Sequence, residues 1–314
     1  MAKTKEISRR IKSISNTRKL TKAMEMVATA KMRRAVEAVL KTRTYANLSW
    51  ETVLHLSATN GQNGEKHPLL TLRPETKKAA VILITSNRGL CGGYNAAIIN
   101  KVKGSIKRHP EVPLDFILVG KKGAAVYAQN QTVTAEFPKS DILEDSEEVV
   151  PIVNLVIKDF LSGRYDKVFL AYTDFVSPVK QVPRIKQLLP ININTENEYL
   201  GVIGDPKVSV NKEMLSDKAD KHLTPQAGFD YIFEPSPSEV LDNIIPRLLE
   251  VQVFQALLEA NASEHSARMS AMHQATEAAG EMLNELTLFY NKARQAGITA
   301  EIAEISAGAN ALLN

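Results

Sequence analysis

Thiol chemistry is nearly absent from this chain, whose single cysteine among 314 residues is Cys91. No internal disulfide can form, a cysteine-cluster zinc site is excluded, and a reducing compartment fits best. Long apolar runs are absent as well. None approaches the roughly 18 residues a membrane span needs. The charged start, Met1 to Lys12, lacks the apolar stretch of a secretory leader and reads as part of the mature fold. The six histidines show no HxxxH-type pairing, so no metal site is supported. Aromatic residues amount to 6% and do not interleave with the basic ones, which argues against a stacking surface for single-stranded nucleic acid. Between about Lys3 and Leu56 there is neither proline nor glycine.

What is present begins with charge. The formal net charge is +4, but the segment from Met1 to Arg43 carries thirteen basic residues against Glu6, Glu25 and Glu37, a local +10 that leaves −6 for the remainder. A basic segment on an acidic body implies a partner bearing acidic groups: nucleic acid, anionic lipid or an acidic protein surface. The plainer alternative is a solvated helix face.

Three regions separate by periodicity. In the first, 1–57, Ile7, Ile11, Ile14, Ala28, Met32, Ala35, Val39 and Thr42 recur at steps of three and four, a helical seam interrupted by Arg18, Thr21 and Glu25. At 1.5 Å per residue this helix would run roughly 80 Å. Met24, Met26 and Met32 read as packing residues. The second region, 77–235, alternates β-branched apolar runs (Ala79–Thr85, Asp115–Val119, Lys167–Thr173) with candidate helices (Ala96–Lys107, Lys121–Gln129, Glu147–Leu161). That alternation predicts an α/β layer with a mostly parallel sheet. Gln181–Leu188 reads as an extra edge strand, and Thr195–Pro225, rich in charge with glycine and proline, as a long loop insertion.

The third region, 236–314, opens on Ser236-Pro237-Ser238-Glu239, a capping-box start. From Ile244 through Leu248, Gln255, Ala262, Met272, Ala279, Leu286 and Ala293 to Gly297, the seam steps by four and three without a break. A sustained 3.5-residue repeat means a left-handed coiled coil, here on the order of 110 Å long. Pro246 predicts a kink. Two helices too long for a globular core must bury their seams together, so the expected fold is α/β: an antiparallel coiled coil of the terminal helices plus a Rossmann-like lobe.

Ser86-Asn87-Arg88-Gly89-Leu90-Cys91-Gly92-Gly93 follows the first strand, where open α/β sheets hold phosphates. It lacks GxGxxG spacing and the Lys-Ser/Thr ending of a P-loop. It reads instead as a tight structural turn with positive φ at Gly89, Gly92 and Gly93, and with Cys91 as a buried thiol rather than a nucleophile. No catalytic residue, cofactor or metal ligand is indicated.

Three stretches together resemble one family. Lys5-Glu6-Ile7 through Ile14-Ser15-Asn16-Thr17-Arg18-Lys19-Leu20 to Met24 and Ala28, the Arg88-Gly89-Leu90-Cys91-Gly92-Gly93-Tyr94-Asn95 turn, and Tyr290-Asn291-Lys292-Ala293-Arg294-Gln295-Ala296-Gly297-Ile298-Thr299 through Glu304 and Gly308 resemble F-type ATP synthase gamma subunits of bacterial type, in the family's order. The resemblance implies a non-catalytic central rotor shaft without a cofactor of its own. It implies alpha, beta, epsilon, delta and c subunits as partners, one copy per complex, no nucleic acid, and a peripheral position on the cytoplasmic face of the inner membrane, held through the c ring. It assigns Met24, Glu264, Arg268, Gln295, Thr299 and Glu304 to contact with beta, Tyr231 and Phe233 to contact with epsilon and the c ring, and Ala311–Asn314 to an apolar bearing. The alternatives from the residues alone are a basic coiled-coil nucleic-acid-binding protein and a nucleotide-binding enzyme built on the glycine turn.

Overall fold

The computed structural model describes residues 2–60, 67–129, 131–143, 145–191 and 237–313. Its elements in chain order are α1 (Ala2–Asn60), β1 (Ala79–Ile84), α2 (Tyr94–Arg108), β2 (Leu114–Val119), α3 (Lys121–Tyr127), β3 (Thr132–Phe137), α4 (Val150–Leu161), β4 (Lys167–Phe175), β5 (Gln181–Leu189) and α5 (Pro237–Leu313). The chain forms two compact units, one of Met1–Thr29 with Arg268–Asn314, the other of Ala30–Ala267.

The first unit is a helix pair. Arg18 covers Gly280, the Thr276 hydroxyl donates to that of Thr21 at 2.8 Å, and Glu25 lies 3.3 Å from His273. Numbers rise on α1 as they fall on α5, so the pair is antiparallel. On α5, the positions from Met272 to Ala293 that escape full exposure include Met272, Thr276, Ala279, Leu283, Leu286, Tyr290 and Ala293, stepping as the heptad requires. On α1, Ile7, Ile11 and Ile14 are half-buried and Ala28 is buried. Arg18, Thr21 and Glu25 do interrupt the apolar seam, and they do so by pairing with polar or small residues opposite. Met26 faces outward at 58% exposure, so it is not the packing residue its neighbours suggested. From Arg294 to Ala307 every position of α5 is exposed.

The second unit holds a five-stranded sheet of order β3-β2-β1-β4-β5, parallel except for β5, which runs antiparallel to β4 at the edge. β1 is central and buried at all six positions. Its alternate side chains serve two cores, as strand geometry dictates. Ala80, Ile82 and Ile84 join Ile117, Val153, Phe160, Val39 and Leu248 on one face. Val81 and Leu83 join Ile98, Val102, Phe116 and Tyr127 on the other. Each fully buried aliphatic side chain contributes about 1.5–3 kcal/mol, so the strand is secured from both faces. Tyr127 stacks on Phe116 with ring centroids 4.4 Å apart, and burial pushes its phenol up to about 12.

The sheet agrees with the periodicity in β1, β2, β4 and the β5 edge. β3 was not anticipated: Thr132–Phe137 is half-exposed and lacks the apolar run that marks a buried strand. Pro246 lies inside α5 without ending it. The capping Ser236, the Thr195–Pro225 insertion and the candidate foot residues Tyr231 and Phe233 lie outside the described residues.

Candidate functional site

The turn after β1 closes on itself. Asn95, in the first turn of α2, accepts from the Ser86 amide at 3.0 Å and donates from Nδ2 to Ser86 Oγ at 2.7 Å and to Cys91 Sγ at 3.2 Å. Ser86 Oγ in turn donates to the Arg88 carbonyl at 2.7 Å. Cys91 is buried and held as an acceptor inside this knot. Positive φ falls on Leu90 (62°) and Gly92 (53°), whereas Gly93 sits at −82°. The expectation of positive φ is therefore met at Gly92 alone among the glycines of this turn, and Leu90 carries the rest of the reversal. Ser86, Asn95 and Cys91 are thus tied to one another. Asn95→Ala removes three partners at once and is expected to lower stability by about 1–3 kcal/mol, read as a fall in the denaturant midpoint with an unchanged slope.

The basic stretch of α1 is solvent-facing: Lys5, Arg9, Arg10, Lys12, Arg18, Lys19, Lys22, Arg33 and Arg34 are all exposed. Met24 is half-buried beside Glu25. The hydrogen bond from Lys22, with His273 beside it, holds the Glu25 carboxyl below the usual range. Arg268 is half-exposed, five residues before His273 on α5. Gln295, Thr299 and Glu304 are exposed and lie further along that helix. The 27 residues from Arg268 to Gln295 span roughly 40 Å, so the anticipated contact residues make two groups. Gln295 and Thr299 share a face one turn apart, and the Thr299 hydroxyl donates to the Gln295 carbonyl at 3.0 Å. Glu304, five residues on, points about 140° away from Thr299.

Glu264 belongs to neither group. It is 3% exposed and its carboxylate is 2.5 Å from the Lys139 ammonium. Lys139 lies in the stretch after β3 and had not been singled out, because a lysine in a polar loop reads as solvated. The same stretch carries Asp141, whose carboxylate accepts from Lys31 at 2.7 Å; that bond holds its pKa below the usual range. Gly120, at the end of β2, was also missed. Its φ is +95°, and a Cβ there would fall 2.2 Å from the Thr85 carbonyl oxygen.

No helix among the described residues is long and apolar enough to cross a membrane. A family model described as ATP synthase matches residues 3–312. The ATP synthase gamma chain of Dehalococcoides mccartyi is 40% identical over 314 residues, 99% of this chain and 100% of that one. The gamma chain of Herpetosiphon aurantiacus is 40% identical over 320 residues, and that of Actinobacillus pleuropneumoniae 39% over 316. Among solved structures, a chain of the Euglena gracilis mitochondrial ATP synthase (OSCP/F1/c-ring) matches with a TM-score of 0.62 at 17% identity, covering 99% of this chain and 95% of that one. A chain of the Tetrahymena thermophila mitochondrial ATP synthase central stalk and c ring matches at 0.58 and 22% identity, covering 82% and 99%. At these identities the structures speak for the fold, and the curated relatives speak for the family.

Proposed function

The chain belongs to the ATP synthase gamma chain family, and from that membership we propose that it is the central rotor shaft of an F-type ATP synthase, coupling ion flow to ATP synthesis and hydrolysis. The observation that carries this reading is similarity to gamma chains from one end of the sequence to the other. The antiparallel α1–α5 pair supports it in physical terms. A shaft needs two-stranded stiffness over part of its length and an end free to enter a sleeve, and α5 is exposed on every side from Arg294 to Ala307.

In this reading the helix pair stands inside a hexamer of alternating alpha and beta subunits, where nucleotide chemistry takes place, and the chain itself catalyses nothing. The turning shaft presents each beta subunit with a different surface in turn. A conformer that meets a complementary face is stabilised over its alternatives, so rotation becomes a cycle of nucleotide affinities. Two contact zones serve this: Met24 and Arg268 with the exposed bases of α1, which suit an acidic segment of beta, and Gln295, Thr299 and Glu304 nearer the end. Glu264, turned inward on Lys139, is not part of either. The lobe meets epsilon and the c ring, with delta elsewhere in the complex, and the chain sits peripherally on the cytoplasmic face of the inner membrane. The nucleic-acid alternative has no observation in its favour beyond the basic segment, which the acidic segment of beta accounts for.

The test is recovery of the tagged chain from its native membranes under gentle detergent and low salt. Co-recovery of alpha, beta and epsilon subunits with ATPase activity is expected. Recovery of the chain alone, or with nucleic acid, would sink the proposal.

A further inference from the structure

Between Gln252 and Ser266, α5 is buried at every position. A helix buried all round is ordinarily apolar throughout. This one carries Gln252, Gln255, Glu259, Asn261, Ser263, Glu264, His265 and Ser266. Their partners on the rest of the lobe converge most densely on the short stretch Pro138–Asp141, which follows β3. Lys139, 5% exposed, places its ammonium on Glu264 and lies 5.6 Å from the centre of the Tyr94 ring. Asn261 Nδ2 donates to the Ser140 carbonyl at 3.0 Å, and His265 Nε2 to the Asp141 carbonyl at 3.3 Å. Asn87, from the turn after β1, donates to the Lys139 carbonyl at 2.6 Å. Lys31 of α1 closes the set on Asp141. Four residues of chain are thus fastened to α5 by three side chains, to the turn after β1 by one, and to α1 by one.

These bonds differ in kind from the apolar contacts around them. Apolar contact is non-directional and resists separation more than sliding. Hydrogen bonds and buried ion pairs weaken steeply with distance and angle, so they oppose shear. Resting on the rotor reading above, we propose that Pro138–Asp141, with Lys139 seated on Glu264, is the latch that makes the lobe and the α5 segment it surrounds turn as one body. Lys139 is a positioning residue: it acts through Glu264, and it sets how much of the lobe's rotation reaches the shaft.

The test uses the assembled complex in membrane vesicles and reads ion pumping per ATP hydrolysed. Lys139→Met/Glu264→Leu replaces the ion pair by apolar groups, a change that buried pairs commonly tolerate without loss of stability. ATP hydrolysis retained with a loss of pumping per ATP is the expected result. Pumping per ATP equal to that of the native complex would overturn the proposal. Should the double variant fail to assemble, Lys31→Met decides. It frees the latch on the α1 side and leaves Asp141, whose side chain is 41% exposed, in water. It is expected to give a smaller loss in the same ratio, and an unchanged ratio overturns the proposal. Failure of the native chain to co-purify with an ATPase would instead defeat the rotor reading itself.

Discussion

A chain carrying Gly120→Ala is expected to lose about 3–5 kcal/mol of stability, a large share of what a domain of this kind possesses. Two costs combine. An L-residue at φ +95° is strained whatever surrounds it. The new Cβ also meets the Thr85 carbonyl oxygen at 2.2 Å, and this is backbone of the central-strand exit rather than a side chain that can swing aside. Thr85 cannot retreat without breaking its own bonds, since its amide donates to the Val119 carbonyl at 2.8 Å and its hydroxyl accepts from the Gly123 amide at 2.8 Å. The denaturant midpoint of the purified chain measures the loss. Gly89→Ala is the matched control: nothing lies within 4 Å of a Cβ there and no positive φ is involved, so a change within about 0.5 kcal/mol is expected. Equal effects at the two glycines would contradict the argument.

Lys139→Met by itself is expected to cost about 3–5 kcal/mol, because it removes the ammonium that faces the buried Glu264 carboxylate. The penalty lies in keeping a carboxylate away from water more than in the lost attraction. Adding Glu264→Leu to the same chain should therefore restore most of the stability. A double-mutant cycle on thermal or denaturant unfolding reads this as a coupling of opposite sign to the single-site loss. Additive destabilisation, with the double variant worse than either single one, would mean that the pair contributes packing and that its charges are incidental.

The elements most legible in the sequence were those whose periodicity is imposed by burial on a defined number of sides. α5 declared itself through an unbroken heptad from Met272 to Ala293, and those positions are among the shielded ones. β1 declared itself as a continuous apolar run because both of its faces are covered. β3 did not, since an edge strand half in water has no reason to be uniformly apolar: Thr132 and Glu136 are exposed, and only Val133, Thr134, Ala135 and Phe137 are shielded, each in part. The glycine turn was legible as a turn, and its positive φ at Gly92 with it, but that at Leu90 was not, because Leu90 takes a conformation that composition would give to glycine. The candidate contact residues on α5 could be named by resemblance, yet their grouping could not. That depends on helical phase and on Glu264 finding Lys139, a partner 125 positions away. Charged residues buried by tertiary pairing look in sequence like any solvated charge, which is why the latch left no signature.

The pairing of the two terminal helices also sets a timetable. The seam of α1 emerges from the ribosome with its first residues, but its cover lies far along α5: Thr21 meets Thr276, 255 positions later. At roughly 5–20 residues per second, translation leaves that part of the seam uncovered for about thirteen to fifty seconds. Meanwhile the parallel strands β1, β2 and β4 are all available, while the part of the sheet face that Leu248, Val253 and Leu257 will cover still lacks them. Nascent chains of this protein therefore carry two exposed apolar surfaces at once, one helical and one on the sheet, and a single late-arriving helix removes both.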